Sequence, residues 1–229
     1  MTAIAAVHAT TRRAPVVAQA FSPDKADGMA VLDRVGTVVT FGREQPLFFE
    51  GDPAECYFKV VKGAVRSCKL LADGRRHIGD FFLAGDYVGL DAGAIYAFAA
   101  EAVTDATLIR FSRRKVDGLI AQEPWIAKSL VDVMRNGLSV ARERMALLGH
   151  MTAMERIASF LLNLADRADD TRIEVPMTRT DIGDYLGLTM ETVSRCFSQL
   201  KNDGIIKQRS VHEISIADRA ALEALAEAA

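Results

Sequence analysis

Between residues 35 and 111, apolar positions gather in short runs parted by turn-forming residues. The runs cover residues 38–41, 47–49, 57–61, 64–71, 78–83 and 103–111, and the breaks include Gly51-Asp52-Pro53, Lys62-Gly63, Asp73-Gly74 and Gly85-Asp86. Runs this short, with turn signals every ten residues or so, predict an antiparallel barrel or sandwich. Asp73-Gly74 is the sharpest hairpin signal among them. From about Arg113 the period lengthens. Ala127, Val131, Met134, Leu138, Ala141, Met145 and Leu148 recur at spacings of three and four, with Leu130, Val133, Val140 and Leu147 as a second stripe. This predicts one long helix from near Pro124 to Leu148 with two faces to bury. One face would pack on the chain's own barrel and the other on the same helix of a second subunit, as a parallel coiled coil. The alternative is a single wide core-facing stripe. The expected dimer seam (Val131, Met134, Leu138, Ala141, Met145 and Leu148) carries no charge, so it needs no ligand to relieve repulsion.

Beyond a break at Gly149-His150-Met151, Thr152 and Glu155 form a capping box that opens another helix, to about Arg167, burying Ile157, Leu161 and Leu164. Residues 173–176 read as an extended link. Thr178, with Asp181 three residues on, caps a short helix over residues 180–186. Gly187 turns the chain, and Thr189 caps a second helix from Met190 to about Asp203. Two short helices around a glycine turn form a helix-turn-helix, whose second helix enters the major groove. On that helix Val193, Phe197 and Leu200 share one side, while Glu191, Ser194, Arg195 and Ser198 share the other. Arg195 can bond both guanine acceptors, Glu191 can accept from a cytosine amine, and Ser194 is tolerant. An ordinary amphipathic helix with a solvated polar face is the alternative. Two alternating runs at residues 205–210 and 211–216 then predict a hairpin wing with Lys207 and Arg209 at its tip. These two, with Thr178, Thr180, Thr189, Thr192, Ser198 and Lys201, are the candidates for the DNA backbone, where contacts position without specifying.

Composition narrows the partners. The 229 residues are half hydrophobic and a quarter charged, with a formal net charge of −2. Such a balance excludes indiscriminate coating of nucleic acid, whose affinity comes from neutralised phosphates. No apolar run approaches the ~20 residues that span a bilayer. Residues 1–28 read as a disordered, alanine-rich leader. Cys56, Cys68 and Cys196 lack CxxC spacing, which fits a reducing cytoplasm with neither disulfide nor metal site. Cys196 adjoins Arg195 and is a redox candidate, because its oxidation would disturb the DNA-reading surface. Its helical angle, however, lies on the flank of the core. A cysteine–histidine enzyme built on Cys56 and His77 is a distant alternative, for no nucleophile motif surrounds Cys56. No catalytic residue is expected.

Barrel, long helix and winged helix-turn-helix, in this order, resemble the CRP/FNR family of bacterial transcription regulators. The resemblance covers nearly everything from residue 36 and rests on Gly51-Asp52-Pro53-Ala54, Gly63, Gly85-Asp86-Tyr87-Val88-Gly89 and Glu191-Thr192-Val193-Ser194-Arg195. It implies an α+β chain: leader 1–28, cyclic-nucleotide-binding-like β-roll 29–112, dimerisation helix 113–149 and DNA-binding domain 150–229. Glu-x-x-Ser-Arg looks like the FNR and FixK branch, implying a TTGAT…ATCAA palindrome read by Glu191, Ser194 and Arg195. Cyclic-AMP-binding relatives place an arginine pair where this chain has Tyr96-Ala97-Phe98, so no cyclic nucleotide is expected; a buried anion without a cation would be costly. Iron–sulfur members carry N-terminal cysteines, and this chain has none before Cys56. What remains resembles FixK, an activator of low-oxygen respiration genes controlled by its own abundance and needing no cofactor. Dimerisation and contact with RNA polymerase near residues 73–76 follow from the same resemblance. The alternative is a haem-dependent, nitric-oxide-responsive Dnr-type regulator, with His8, His77, His150 and His212 as candidate axial ligands.

Overall fold

The computed structural model describes residues 28–149, 151–168 and 170–227. The expected leader up to residue 27, with His8, lies outside the described residues, as do His150 and the side chain of Leu148. Helix α1 (Gly28–Val35) opens the described chain, with Met29 and Leu32 buried. The apolar pattern did not predict it, because two buried positions in eight residues are too few to show a period.

Eight strands follow: β1 (Thr37–Phe41), β2 (Pro46–Phe48), β3 (Cys56–Lys62), β4 (Val65–Leu70), β5 (Arg76–Phe82), β6 (Tyr87–Val88), β7 (Ala99–Ala102) and β8 (Ala106–Ser112). They form two antiparallel four-stranded sheets, ordered β1-β8-β3-β6 and β2-β7-β4-β5. The sheets face each other across Phe48, Phe58, Val60, Val65, Val88, Tyr96 and Leu108. Alternation explains the pairing: one side of each strand fills this core and the other does not. The run predicted over 103–111 is in fact a turn followed by β8, and β7 was missed because three of its four residues are alanines, which carry little hydrophobic signal.

Helix α2 (Arg113–Gln122) stops before Pro124, and α3 (Trp125–Leu148) runs on from it. Leu130 and Val133 pack with Met29, Leu32, Tyr57, Phe111, Val116 and Ile126. Val140, placed in their stripe by periodicity, is exposed instead. The helix is longer than the surface it rests on. Val131, Met134, Leu138 and Met145 are exposed, Met145 at 74%, and Ala141 is half-buried.

The last third holds α4 (Ala153–Ala168), β9 (Arg172–Glu174), α5 (Arg179–Leu186), α6 (Met190–Asn202), β10 (Ile206–Gln208), β11 (Glu213–Ile216) and α7 (Arg219–Ala226). The Thr152–Glu155 capping box forms in both directions. Ile157, Leu161, Leu164, Val193, Phe197 and Leu200 are buried in one core. The stretch read as an extended link instead pairs with β11, giving the sheet β10-β11-β9. Helix α7 was not anticipated; Asp218 caps it, and it buries Leu222. This core runs without a gap into Ala64, Ile78, Phe81 and Val103 of the β-roll. Phe81 bridges the two parts, its ring 5.0 Å from that of Tyr185 and 6.4 Å from that of Phe160.

Candidate nucleic-acid interface

Hydrogen bonds at its helix ends set the shape of the helix-turn-helix. The Thr178 hydroxyl accepts from the Asp181 amide at 3.1 Å, and the Thr178 amide donates to Asp181 Oδ2 at 3.0 Å. Gly187 ends α5 with φ +67°, a conformation L side chains resist. The Gly183 carbonyl accepts from the amides of Gly187 and Leu188. A Cβ on Gly183 would stand 2.6 Å from the Leu188 carbonyl oxygen, so a side chain there would prise the turn open. The sequence reading missed Gly183, whose only signal is a glycine inside a helix. Arg156 adds a further tie, its guanidinium donating to the Leu186 carbonyl at 2.9 Å.

Helix α6 begins at Thr189, whose hydroxyl accepts from the Thr192 amide at 3.2 Å. Val193, Cys196, Phe197 and Leu200 are buried, while Glu191, Ser194, Arg195, Ser198 and Lys201 are exposed. Hydrogen bonds from its own amide and from Thr189, with the nearby Arg195 charge, hold the Glu191 carboxyl below the usual range. Ionised, it accepts and cannot donate, as a cytosine amine requires. Arg195 Nη2 reaches the Thr192 hydroxyl at 3.3 Å, and the Ser198 hydroxyl donates to the Ser194 carbonyl at 2.9 Å. Thr178, Thr180 and Thr189 are exposed and Thr192 is half-buried.

Two corrections concern the wing and the β4–β5 hairpin. Lys207 is not at the wing's tip; it sits within β10 opposite Ser215. Arg209 is at the turn, its amide donating to the Glu213 carbonyl. Both side chains are exposed. In the β4–β5 hairpin, Asp73 and Arg75 are exposed and bonded to each other at 2.7 Å, but Arg76 turns inward onto Asp181 and Asp184 of α5.

Arg179 is a residue the sequence reading passed over. Its guanidinium lies 3.3 Å over the ring of Phe197, near the middle of α6. Burial pushes its pKa down to about 10, which leaves it a cation at neutral pH. It has no periodic signature, because its partner is a core aromatic on the next helix.

Cys196 is 8% exposed, and burial pushes its thiol above the ordinary range, with Arg195 offsetting part of the shift. The thiol form behaves as a small hydrophobe. Cys56 is buried on β3 with its sulfur accepting from Arg110 Nε at 3.1 Å, whereas His77 is exposed on β5 in the other sheet. The two do not form a nucleophile–base pair. His212 Nδ1 lies 3.1 Å from the Val175 carbonyl. Among the described residues, no three histidine, cysteine or acidic side chains converge as a metal site, and no helix is long and apolar enough to cross a membrane.

Tyr96 fills the β-roll interior, stacked 3.6 Å from Phe48 with its hydroxyl donating to the Cys56 carbonyl at 2.5 Å. Asp86 accepts the Leu83 amide and pairs with Arg167 of α4. Both side chains are thus engaged in holding the fold.

The profile of the Crp-like helix-turn-helix domain matches residues 155–225, and that of the cyclic nucleotide-binding domain matches residues 38–123. The nitrogen fixation regulation protein FixK of Azorhizobium caulinodans is 40% identical over 201 residues, covering 85% of this chain and 81% of that protein. Its namesake from Bradyrhizobium diazoefficiens is 38% identical over 203 residues, covering 86% and 84%. Among solved structures, FixK2 from Bradyrhizobium japonicum superposes with a TM-score of 0.81 at 42% identity, covering 85% of this chain and 98% of that one. The chain belongs to the CRP/FNR family of DNA-binding transcription regulators, on its FixK-like branch.

Proposed function

We propose that this regulator is a homodimeric activator of low-oxygen respiration genes, working in the cytoplasm and reading a TTGAT-N4-ATCAA-like palindrome without cyclic nucleotide or iron–sulfur cluster. The observation that carries the reading is the polar start of α6. Glu191, Ser194 and Arg195 are exposed together on the face opposite Val193, Phe197 and Leu200. Such a face puts an acceptor, a small hydroxyl and a guanidinium against base edges. Thr178, Thr180, Thr189, Thr192, Ser198, Lys201, Lys207 and Arg209 serve as its backbone contacts. The exposed row Val131, Met134, Leu138 and Met145 supports self-association through α3, since a row that long left in water is unfavourable. Two recognition helices related by a two-fold axis then meet half-sites about one helical turn apart. The low-oxygen assignment follows from the FixK-like resemblance of the chain, whose curated relatives are named as nitrogen fixation regulation proteins. The exposed β4–β5 tip around Asp73 and Arg75 is the surface offered to RNA polymerase.

The test is a titration of reduced, cofactor-stripped protein onto the TTGAT-N4-ATCAA duplex at stated salt, with scrambled DNA as control. Tight specific binding with nothing added is the expected result. Binding that appears only after haem or a nucleotide is supplied would make the β-roll a sensor and overturn the ligand-free reading.

A further inference from the structure

Among the described residues, the buried polar or charged side chains are Arg66, 7% exposed, and Asp181, 2% exposed. They bond to each other, Arg66 Nη1 to Asp181 Oδ1, at 2.9 Å. One stands on β4 of the β-roll and the other in the first turn of α5, the helix that precedes the recognition helix. Asp181 divides its oxygens between two tasks. Oδ2 accepts from the amide and hydroxyl of Thr178 and so closes the helix cap. Oδ1 accepts from Arg66 and, at 2.5 Å, from Arg76 Nη2. Arg76 also reaches Asp184 at 2.9 Å, one turn further along α5. Glu101, opposite Arg66 on β7, accepts from Arg66 Nε at 2.7 Å. The two guanidinium groups are thus aimed across the boundary, with their neighbours' charges arranged to match.

Buried ion pairs add little net stability, because desolvation offsets attraction. What they do oppose is a small slide that keeps the charges buried and unpaired. The apolar contact of Phe81 with Phe160 and Tyr185 holds the two parts together but tolerates sliding; the ion cluster does not. We propose that Arg66 and Arg76 are positioning residues that latch α5 onto the β-roll, fixing the angle at which each protomer presents its recognition helix with no ligand bound. This deepens the reading of a ligand-free dimer on a palindrome and rests on it for its consequence on DNA.

The test uses the full chain carrying Arg66→Met or Arg76→Gln, with circular dichroism to confirm folding. Arg76, whose side chain is 27% exposed, is the milder change should Arg66→Met fail to fold. Small-angle scattering from the free proteins reads the latch directly. An expanded, broadened domain arrangement in the variants is expected, and profiles identical to that of the unchanged protein would overturn the latch. On DNA, affinity for the palindrome is expected to fall roughly tenfold or more as the two heads lose their shared geometry, with affinity for a single half-site moving less than about threefold. The penalty for inserting one base pair between the half-sites should also shrink. Equal loss on the half-site would reduce these arginines to a folding role, and tighter palindrome binding would mean that the cluster holds an inactive pose; either overturns the proposal. If the unchanged protein ignores the palindrome while the variants still expand in scattering, the latch stands and the palindrome reading alone falls.

Discussion

Arg195 stands exposed in the second turn of α6 with its Nη2 on the Thr192 hydroxyl, which leaves most of its fork of donors for a base edge. Replacing it with alanine is expected to cost about 1–3 kcal/mol per half-site and to relax preference at one base position. Binding measured across a set of single-base variants checks this, and a uniform loss would mark a phosphate contact instead. Cys196, next in sequence, points the other way. Cys196→Ser should bind the palindrome as the parent does and lose binding to peroxide at the same rate, since the buried protonated thiol is a poor nucleophile. Asp181 is the residue that acid should reach. Burial raises its pKa, but the Thr178 hydrogen bonds and the Arg66 and Arg76 charges outweigh that and hold it below the usual carboxylate value. A depressed folded-state pKa contributes stability above the unfolded value of about 3.9 and loses it as pH falls through the folded one. Melting followed from pH 6 to pH 2 should therefore fall more steeply for the parent than for Asp181→Asn.

Helix α3 shows why an element can be predicted while its surroundings cannot. Spacing alone marks two apolar stripes, yet only the part around Leu130 and Val133 meets the chain's own core. Val140 belongs with them in period and not in burial, because α1, which supplies part of that core, covers only the beginning of the helix. Leu138, 51% exposed near the middle of the row, is the position to probe. In the proposed dimer, Leu138→Glu would set like charges against each other across the two-fold axis. The expected result is a monomer in sedimentation, with palindrome affinity lower by about 100-fold or more as the second head no longer binds from the same molecule.

Across the molecule, the β-roll matches a cyclic nucleotide-binding domain and packs its interior with its own aromatic side chains. Tyr96 and Phe48 stack in the interior and Asp86 is paired with Arg167. A ligand that bound the native state would raise the melting temperature. Cyclic AMP is expected to leave it unchanged, and a dose-dependent rise would show a site that the aromatic packing conceals. On its outer face, β4 and β5 carry the two arginines that reach α5.

Much of this was readable before any tertiary information. The helix-turn-helix could be placed because its signals are local: Thr178 and Thr189 cap helices through bonds three residues away, Gly187 reverses the chain by its own φ, and Val193, Phe197 and Leu200 lie on one side of a single helix. The strands of the β-roll were legible wherever alternation was strong and were lost where alanines blunt it, as in β7. Arg66, Arg76 and Arg179 were not legible. Each looks like a solvated charge, and Asp181 looked like a cap and nothing more. Their partners lie 115, 105 and 18 residues away, between Arg66 and Asp181, Arg76 and Asp181, and Arg179 and Phe197. Local periodicity registers which face of an element is apolar, whereas the pairing of a buried charge depends on which elements meet, and that is set only when the separate cores close into one.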